Sequence, residues 1–316
     1  MGFVNYEKLK WSRNLKRFLA NGKSITVDST NVRTGLYRPF TRKHLYVSEV
    51  VIDELGKNKH FFPKSGSESN KAISATGVGA ERPFATLMSE TVPDLNFFGP
   101  GSVPQWFPFY TYNEDGTKRR ENITDWALEQ FRSHYTDKSI AKWDIFHYVY
   151  ALLHHPLYRE RYAANLKREL PRIPFAPDFR AFADIGKRLA EIHVNYEQQP
   201  EYPLERIENQ SAQLDWRVER MKLSKDKRSL IYNDFLTLSG IPPEVFEYRL
   251  GNRSALEWII DQYQVSTDKR SGITNDPNRV DDSEYIIRLI GQVVTISVET
   301  VTLVRSLNSL TIAKEL

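Results

Sequence analysis

The stretch Tyr248-Arg-Leu-Gly-Asn-Arg-Ser-Ala-Leu-Glu-Trp-Ile-Ile-Asp-Gln-Tyr263 carries the clearest local instructions in the chain. Ser254 and Glu257 form a capping box: the hydroxyl accepts a backbone N–H three residues on, and the carboxylate reaches back to the serine N–H. The pair opens a helix whose apolar face is Leu256, Ile259, Ile260 and Tyr263. Upstream, residues 216–223 and 230–235 read as two strands joined by the polar turn Ser224-Lys225-Asp226-Lys227-Arg228. Downstream, the polar loop 266–281 interrupts regular structure. Asp281 or Asp282 then starts a long helix through Ile286, Ile290, Val293 and Val301. Hairpin, capped helix and loop in one neighbourhood predict an α+β fold.

Helical periodicity extends back from this region. Asp178 caps a helix bearing Phe182, Ile185, Leu189, Ile192 and Tyr196. Pro156 suits the first turn of a helix bearing Tyr162, Leu166 and Leu170. Phe146, Val149 and Leu153 make another stripe, and Thr124 caps a helix with Leu128, Phe131 and Tyr135. The first ~115 residues are different in kind. Short apolar or alternating runs at 24–27, 35–40, 44–50, 84–88 and 106–112 are separated by Gly, Pro, Ser and Asn, as strand punctuation should be. The Gly/Ser-rich stretch 63–80 reads as a surface loop. The expected organisation is a β-containing N-terminal lobe (1–135) and a mostly helical C-terminal lobe (136–316) with a β-hairpin near 216–235.

The chain has 316 residues, a net charge of +4, 40% hydrophobic residues and no cysteine. That is enough chain for a sizeable core. Lack of cysteine excludes disulfides and cysteine-based zinc sites, and it fits a cytoplasmic setting. No uninterrupted apolar run suggests a membrane span. The start, Met1-Gly-Phe-Val-Asn-Tyr6, lacks the apolar core of a secretory signal and reads as the middle of a longer protein.

Catalytic signatures each miss a required member. Gly22-Lys23-Ser24 has no leading glycine at phosphate-loop spacing. Asp276-Pro277-Asn278 is a fragment of the Asn/Asp-Pro-Pro-Tyr/Phe element of amino-directed methyltransferases. Pro93-Asp94 and Pro177-Asp178 lack the Glu/Asp-x-Lys of metal-dependent nucleases. His154-His155 is an adjacent pair and cannot face one ligand from a helix. Site chemistry is therefore expected to be non-catalytic, with no metal or cofactor held by this chain. A hydrolase with an unfamiliar site near Asp125 or Asp144 stands as a distant alternative.

Basic residues concentrate instead in loops and turns. One cluster is Arg38, Arg42 and Lys43; a second is Lys118, Arg119 and Arg120; a third is Lys225, Lys227 and Arg228. The fourth is Lys269, Arg270, Thr274, Asn275, Asn278 and Arg279, and Arg249 is a further candidate. Cations neutralise phosphates, which sets affinity, while rigid donor–acceptor groups read base edges. Arg pairs bidentately with guanine, and Asn or Gln with adenine. Such clusters support nucleic-acid binding only if they share a face.

Several segments resemble the C-terminal specificity region of type ISP restriction-modification enzymes. They are Leu36-Tyr-Arg-Pro-Phe40 with His44-Leu-Tyr46, and Trp106-Phe-Pro-Phe-Tyr-Thr-Tyr112 followed by Asn122-Ile-Thr-Asp-Trp126. Next come Tyr148-Val-Tyr-Ala-Leu-Leu-His-His-Pro-Leu-Tyr-Arg-Glu-Arg-Tyr162 and Leu166-Lys-Arg-Glu-Leu-Pro-Arg-Ile-Pro-Phe175. Last are the 248–263 stretch and Ser271-Gly-Ile-Thr-Asn-Asp-Pro-Asn278. The resemblance implies a target-recognition domain for double-stranded DNA. It would sit beside the methyltransferase domain of a single polypeptide that also holds a translocase and a nuclease. S-adenosylmethionine, ATP and Mg²⁺ are expected only in that parent. The alternative is a scaffold that couples methyltransferase to motor without touching DNA.

Overall fold

The computed structural model describes residues 13–24, 26–48, 50–52, 58–62, 70–113, 115–269 and 271–312. Strands β1 (Val32–Arg38) and β2 (Thr41–Tyr46) form an antiparallel hairpin with Gly35 opposite Lys43, and Val92–Pro93 pairs parallel to β1. Phe40 makes the turn at φ +56°, a conformation that costs an L-residue roughly 1–2 kcal/mol. Packing holds it there: the ring is fully buried, edge-on to Tyr196 at 5.2 Å. A second sheet places β3 (Ala72–Ala75) between β4 (Thr86–Ser89) and β5 (Gln105–Pro108).

Helices follow. Thr124 caps α1 (Asp125–Tyr135), accepting Ala127 N–H at 3.1 Å. Helix α2 (Lys142–His154) lies against α3 (Phe179–Val194) at Gly186, where a Cβ would fall 1.9 Å from the His147 carbonyl oxygen. Asp178 caps α3 by accepting Ala181 N–H. A four-stranded antiparallel sheet then orders β7 (Lys222–Leu223), β8 (Ser229–Ile231), β9 (Leu236–Ser239) and β6 (Glu205–Glu208). The Ser254–Glu257 capping box opens α4 (Ala255–Gln262), and α5 (Tyr285–Leu307) closes the fold. By length and apolarity α5 could cross a bilayer, yet 67% of its most apolar window is buried inside the protein.

The apolar side chains gather into two cores, and both draw on residues from either side of position 135. Leu36, Phe40, Leu87, Leu256 and Ile290 belong to the first. Ile73, Met88, Phe109, Leu152 and Phe182 belong to the second. Strand β4 sends Leu87 into one and Met88 into the other, because successive side chains point to opposite faces. Helix α3 likewise gives Ile192 to the first core and Leu189 to the second.

A buried polar chain crosses this boundary. Met88 N–H donates to the Tyr150 hydroxyl at 2.8 Å, and that hydroxyl meets His193 Nδ1 at 2.6 Å. His193 Nε2 meets Thr300 Oγ1 at 2.9 Å, and the imidazole stacks on Tyr248 with ring centroids 5.3 Å apart.

Three local expectations are corrected. Residues 72–75, expected within a surface loop, form the fully buried β3, because β4 and β5 pair with both of its edges. The described residues of 24–27 are not strand. The hairpin turn at 224–228 forms, but the strands around it are short. Asn233 ends β8 by accepting Phe235 and Leu236 N–H while donating to the Asp215 and Arg217 carbonyls.

Phe40→Ala is expected to lower unfolding free energy by about 3–5 kcal/mol in urea titrations, since the ring plugs the first core. Acid should also destabilise the fold. Burial holds His193 down to about 3, whereas the unfolded chain titrates near 6.5. The unfolded state therefore takes up a proton the folded state refuses. Stability present above pH 6.5 falls as pH drops toward 3, by up to ~1.4 kcal/mol per pH unit from this group. His193→Gln should flatten that slope in urea midpoints measured from pH 7 to 5.

Candidate nucleic-acid interface

Arg42 and Lys43 leave the Phe40 turn on β2, and the 274–279 segment lies across from them. That segment starts on a two-strand ladder, Ser266–Thr267 against Thr274–Asn275, whose Thr267 and Thr274 hydroxyls meet at 2.8 Å. Lys43 Nζ donates to Asn275 Oδ1 at 2.5 Å, joining the first and fourth clusters across 232 positions of sequence. Between them opens a cleft of about 490 Å³, lined by Arg42, Lys43, Glu197, Asn275, Asn278 and Arg279 among others.

The cations of this cleft differ in how far they are already neutralised. Arg42 pairs with Glu197 at 2.9 Å and Glu90 at 3.8 Å, and it lies over the Tyr196 ring. Lys43 has no ion pair among the described residues; its ammonium rests near the Tyr37 ring, 5.4 Å from the centroid. Desolvation, then repulsion from Arg38, pulls its pKa below the ordinary lysine value, so an arriving anion would relieve an existing strain. Arg279 is exposed, stacked on Tyr285 at 3.2 Å to the ring centroid, and also lacks an ion pair among the described residues.

Two expected contact residues are committed elsewhere. Arg38 is 9% exposed and bonded to Asp94 at 2.5 Å, so its guanidinium secures β1 against the 94–97 turn. Asn278 turns its amide onto Val218: the amide nitrogen donates to the carbonyl and the Val218 N–H donates back, both at 2.8 Å. That leaves no free amide edge for adenine. Thr274 is exposed beside Thr267, Lys269 is exposed at the loop tip, and Arg270 lies outside the described residues.

From the third cluster, Lys227 converges with Arg249 on one carboxylate. Lys227 lies 3.1 Å and Arg249 3.8 Å from Glu257. Burial pushes the Glu257 carboxyl up, but the Ser254 N–H and Lys227 outweigh it and hold its pKa below the ordinary glutamate value. Lys225 and Arg228 are exposed at the tip of the β7–β8 turn. Helix α4 links this group to the cleft, with Glu257 at its start and Gln262, a cleft residue, at its end. The second cluster stands on the Tyr110–Thr111/Arg120–Glu121 ladder, with Arg119 4.5 Å from the Tyr110 ring centroid, Arg120 on Asn113 and Lys118 at φ +51°. Tyr110 packs against the second core, whereas the cleft takes Tyr263 from the first.

Residues that sequence reasoning missed include Glu197 and Tyr285. Glu197 accepts from both Arg42 and the Tyr285 hydroxyl, and Tyr285 carries Arg279. Neither has a local signal, because both sit at helix ends brought together only by the fold. Asp125 and Asp144 do not converge: Asp125 pairs with Lys142, while Asp144 accepts Ala141 N–H and pairs with Arg180.

The architecture is thus an α+β module with an amide-bearing, partly unneutralised cationic cleft at one edge. Over residues 4–289 the chain matches the Type ISP C-terminal specificity domain and belongs to that family. Among solved structures it is similar to a nuclease-deletion mutant of the Type ISP restriction-modification enzyme LlaGI in complex with a DNA substrate mimic. That match has a TM-score of 0.85 and 36% identity over 98% of this chain. The ATP-dependent Type ISP restriction-modification enzyme LlaBIII bound to DNA matches at 0.86 and 33% over 96%. The DrdV–DNA complex matches at 0.84 and 36% over 94%. This chain spans 28%, 20% and 30% of those chains, respectively. No curated protein sequence matches it.

The two asparagines should separate cleanly. Asn278→Ala strands the Val218 backbone groups and is expected to cost about 1–3 kcal/mol by chemical denaturation. Asn275→Ala removes a single exposed hydrogen bond and should leave the midpoint nearly unchanged.

Proposed function

We propose that this chain recognises double-stranded DNA as the specificity domain of a longer restriction-modification polypeptide. The observation that carries this reading is the Lys43–Asn275 junction. It places two cations that have no ion pair among the described residues, Lys43 and Arg279, beside an asparagine amide in one cleft. Cations on phosphates with a neighbouring base-reading amide is the division of labour that DNA recognition needs. Exposed Ile273 and Val280 flank the segment and supply apolar groups of the kind that contact thymine methyls. The similar enzymes are described as bound to DNA or to its mimic, which supports the same reading.

On this reading the chain contributes recognition and no chemistry. Methyl transfer from S-adenosylmethionine and ATP- and Mg²⁺-dependent steps belong to other parts of the parent, in the cytoplasm. The methyltransferase domain is the neighbour that completes the DNA-binding cleft.

Fluorescence anisotropy on random-sequence duplex DNA, followed by selection of preferred sequences, tests this. Lys43→Ala with Arg279→Ala should weaken binding and reduce the log K against log salt slope by about 2, roughly one for each phosphate no longer neutralised. Asn275→Ala should leave that slope unchanged and broaden the selected sequence at one position. Binding that ignores both salt and these residues would overturn the proposal in favour of a scaffold.

A further inference from the structure

A carboxamide accepts at one end and donates at the other. An asparagine read from sequence therefore suits adenine, whose major-groove edge sets an acceptor beside a donor. Asn275 is not in that neutral state. Among the described residues its one side-chain hydrogen bond is with Lys43 Nζ, at 2.5 Å. An ammonium only donates, so the amide atom facing it must be Oδ1, and the orientation of the amide follows from chemistry.

That contact decides what the pair has left to offer. Nδ2 keeps both of its N–H groups, and Lys43 keeps two of three. Oδ1 retains a second lone pair, but a donor approaching it would meet the full positive charge of the ammonium. Lys43 has no carboxylate among the described residues to cancel that charge, only the Tyr37 ring 5.4 Å away. Both side chains line the cleft, Lys43 exposed and Asn275 half-buried. The pair is thus rich in donors and poor in acceptors.

The arrangement is held from both sides. Lys43 stands on β2 opposite Gly35 of β1. Asn275 is paired with Ser266, and three residues on Asn278 is locked to Val218 by two 2.8 Å bonds. A ligand therefore meets the amide already oriented, without the cost of ordering it.

In the major groove only guanine shows two acceptors, N7 and O6. Adenine replaces the second with an amino donor, cytosine presents a donor, and thymine has one acceptor beside a methyl. That groove admits a two-stranded β-ribbon, and such a ribbon, 266–267 with 274–275, carries Asn275. With the chain a reader of duplex DNA, on which this inference rests, we propose that Asn275 reads guanine and not adenine. Lys43 sets that choice by occupying the amide oxygen. It is thereby a positioning residue for Asn275, and its other N–H groups remain for phosphate.

Selection of preferred duplexes by the full chain, followed by anisotropy at fixed salt, tests the assignment. The position that Asn275→Ala relaxes should be a guanine. For the unaltered chain, adenine there should weaken binding about 10–100-fold. 7-Deazaguanine, which lacks N7, should weaken it about 10-fold. Inosine opposite cytosine keeps both major-groove acceptors and should bind within about twofold. Lys43→Met keeps the stem and frees the amide oxygen. Its overall affinity falls with the lost charge, but the specific readout is the guanine-to-adenine preference, which should drop to about threefold or less. Adenine at the relaxed position, or a guanine preference that survives Lys43→Met, would overturn the proposal. So would tolerance of 7-deazaguanine with loss on inosine, which would put the contact in the minor groove. A chain that binds and selects DNA while Asn275→Ala relaxes no position overturns the guanine assignment alone. A chain that binds no duplex at any salt overturns the DNA reading and the assignment with it.

Discussion

The Tyr150 hydroxyl, holding Met88 N–H on one side and His193 on the other, is the contact through which the rest of the fold is coordinated. Four elements meet there: β4 through Met88, α2 through Tyr150, α3 through His193 and α5 through Thr300. Each group is buried, so each must be satisfied by another member of the chain or lose the free energy of an unmade hydrogen bond. That requirement fixes the relative position of elements that apolar packing alone would hold less specifically. It lies where the two cores adjoin, since Met88 belongs to one and Tyr248, stacked on His193, to the other. The Phe40 ring also rests near His193, at 6.4 Å. The hairpin that presents Lys43 is thereby referred to the same imidazole.

Much of the architecture was legible because it is written in local chemistry. Caps at Thr124, Asp178 and Ser254 act within three residues, and all three helices begin where those residues place them. Long helices announce themselves through apolar period, even α5 with its β-branched residues. What escaped was settled at long range. Ala72–Ala75 has no strand-like composition of its own; it is a strand because β4 and β5 pair with both its edges. The split of cores across position 135 was equally hidden, because a strand such as β4 that is buried on both faces shows no boundary in its pattern.

For the interface, the residue types were legible and their availability was not. Arg38 and Lys43 are five positions apart and alike in charge. Asp94, 56 positions away from Arg38, claims one, while an amide 232 positions away meets the other. Asn275 and Asn278 are likewise one loop apart, yet Val218 takes both hydrogen-bonding edges of Asn278. A cluster read from sequence counts charges and amides. Function depends on the remainder after the fold has used what it needs, and that remainder is a property of tertiary partners alone.

The same subtraction singles out Lys43 and Arg279, which have no ion pair among the described residues. They border a cleft where Lys43 is already partly desolvated, and a polyanion gains there from charge and counterion release. Such a site tolerates a long, mobile polyanion and gains selectivity from the amide beside it. The Phe40 ring, beside Tyr196 and His193, anchors the turn from which Lys43 extends, so the edge of the cleft is fixed to the same buried imidazole that joins the helices.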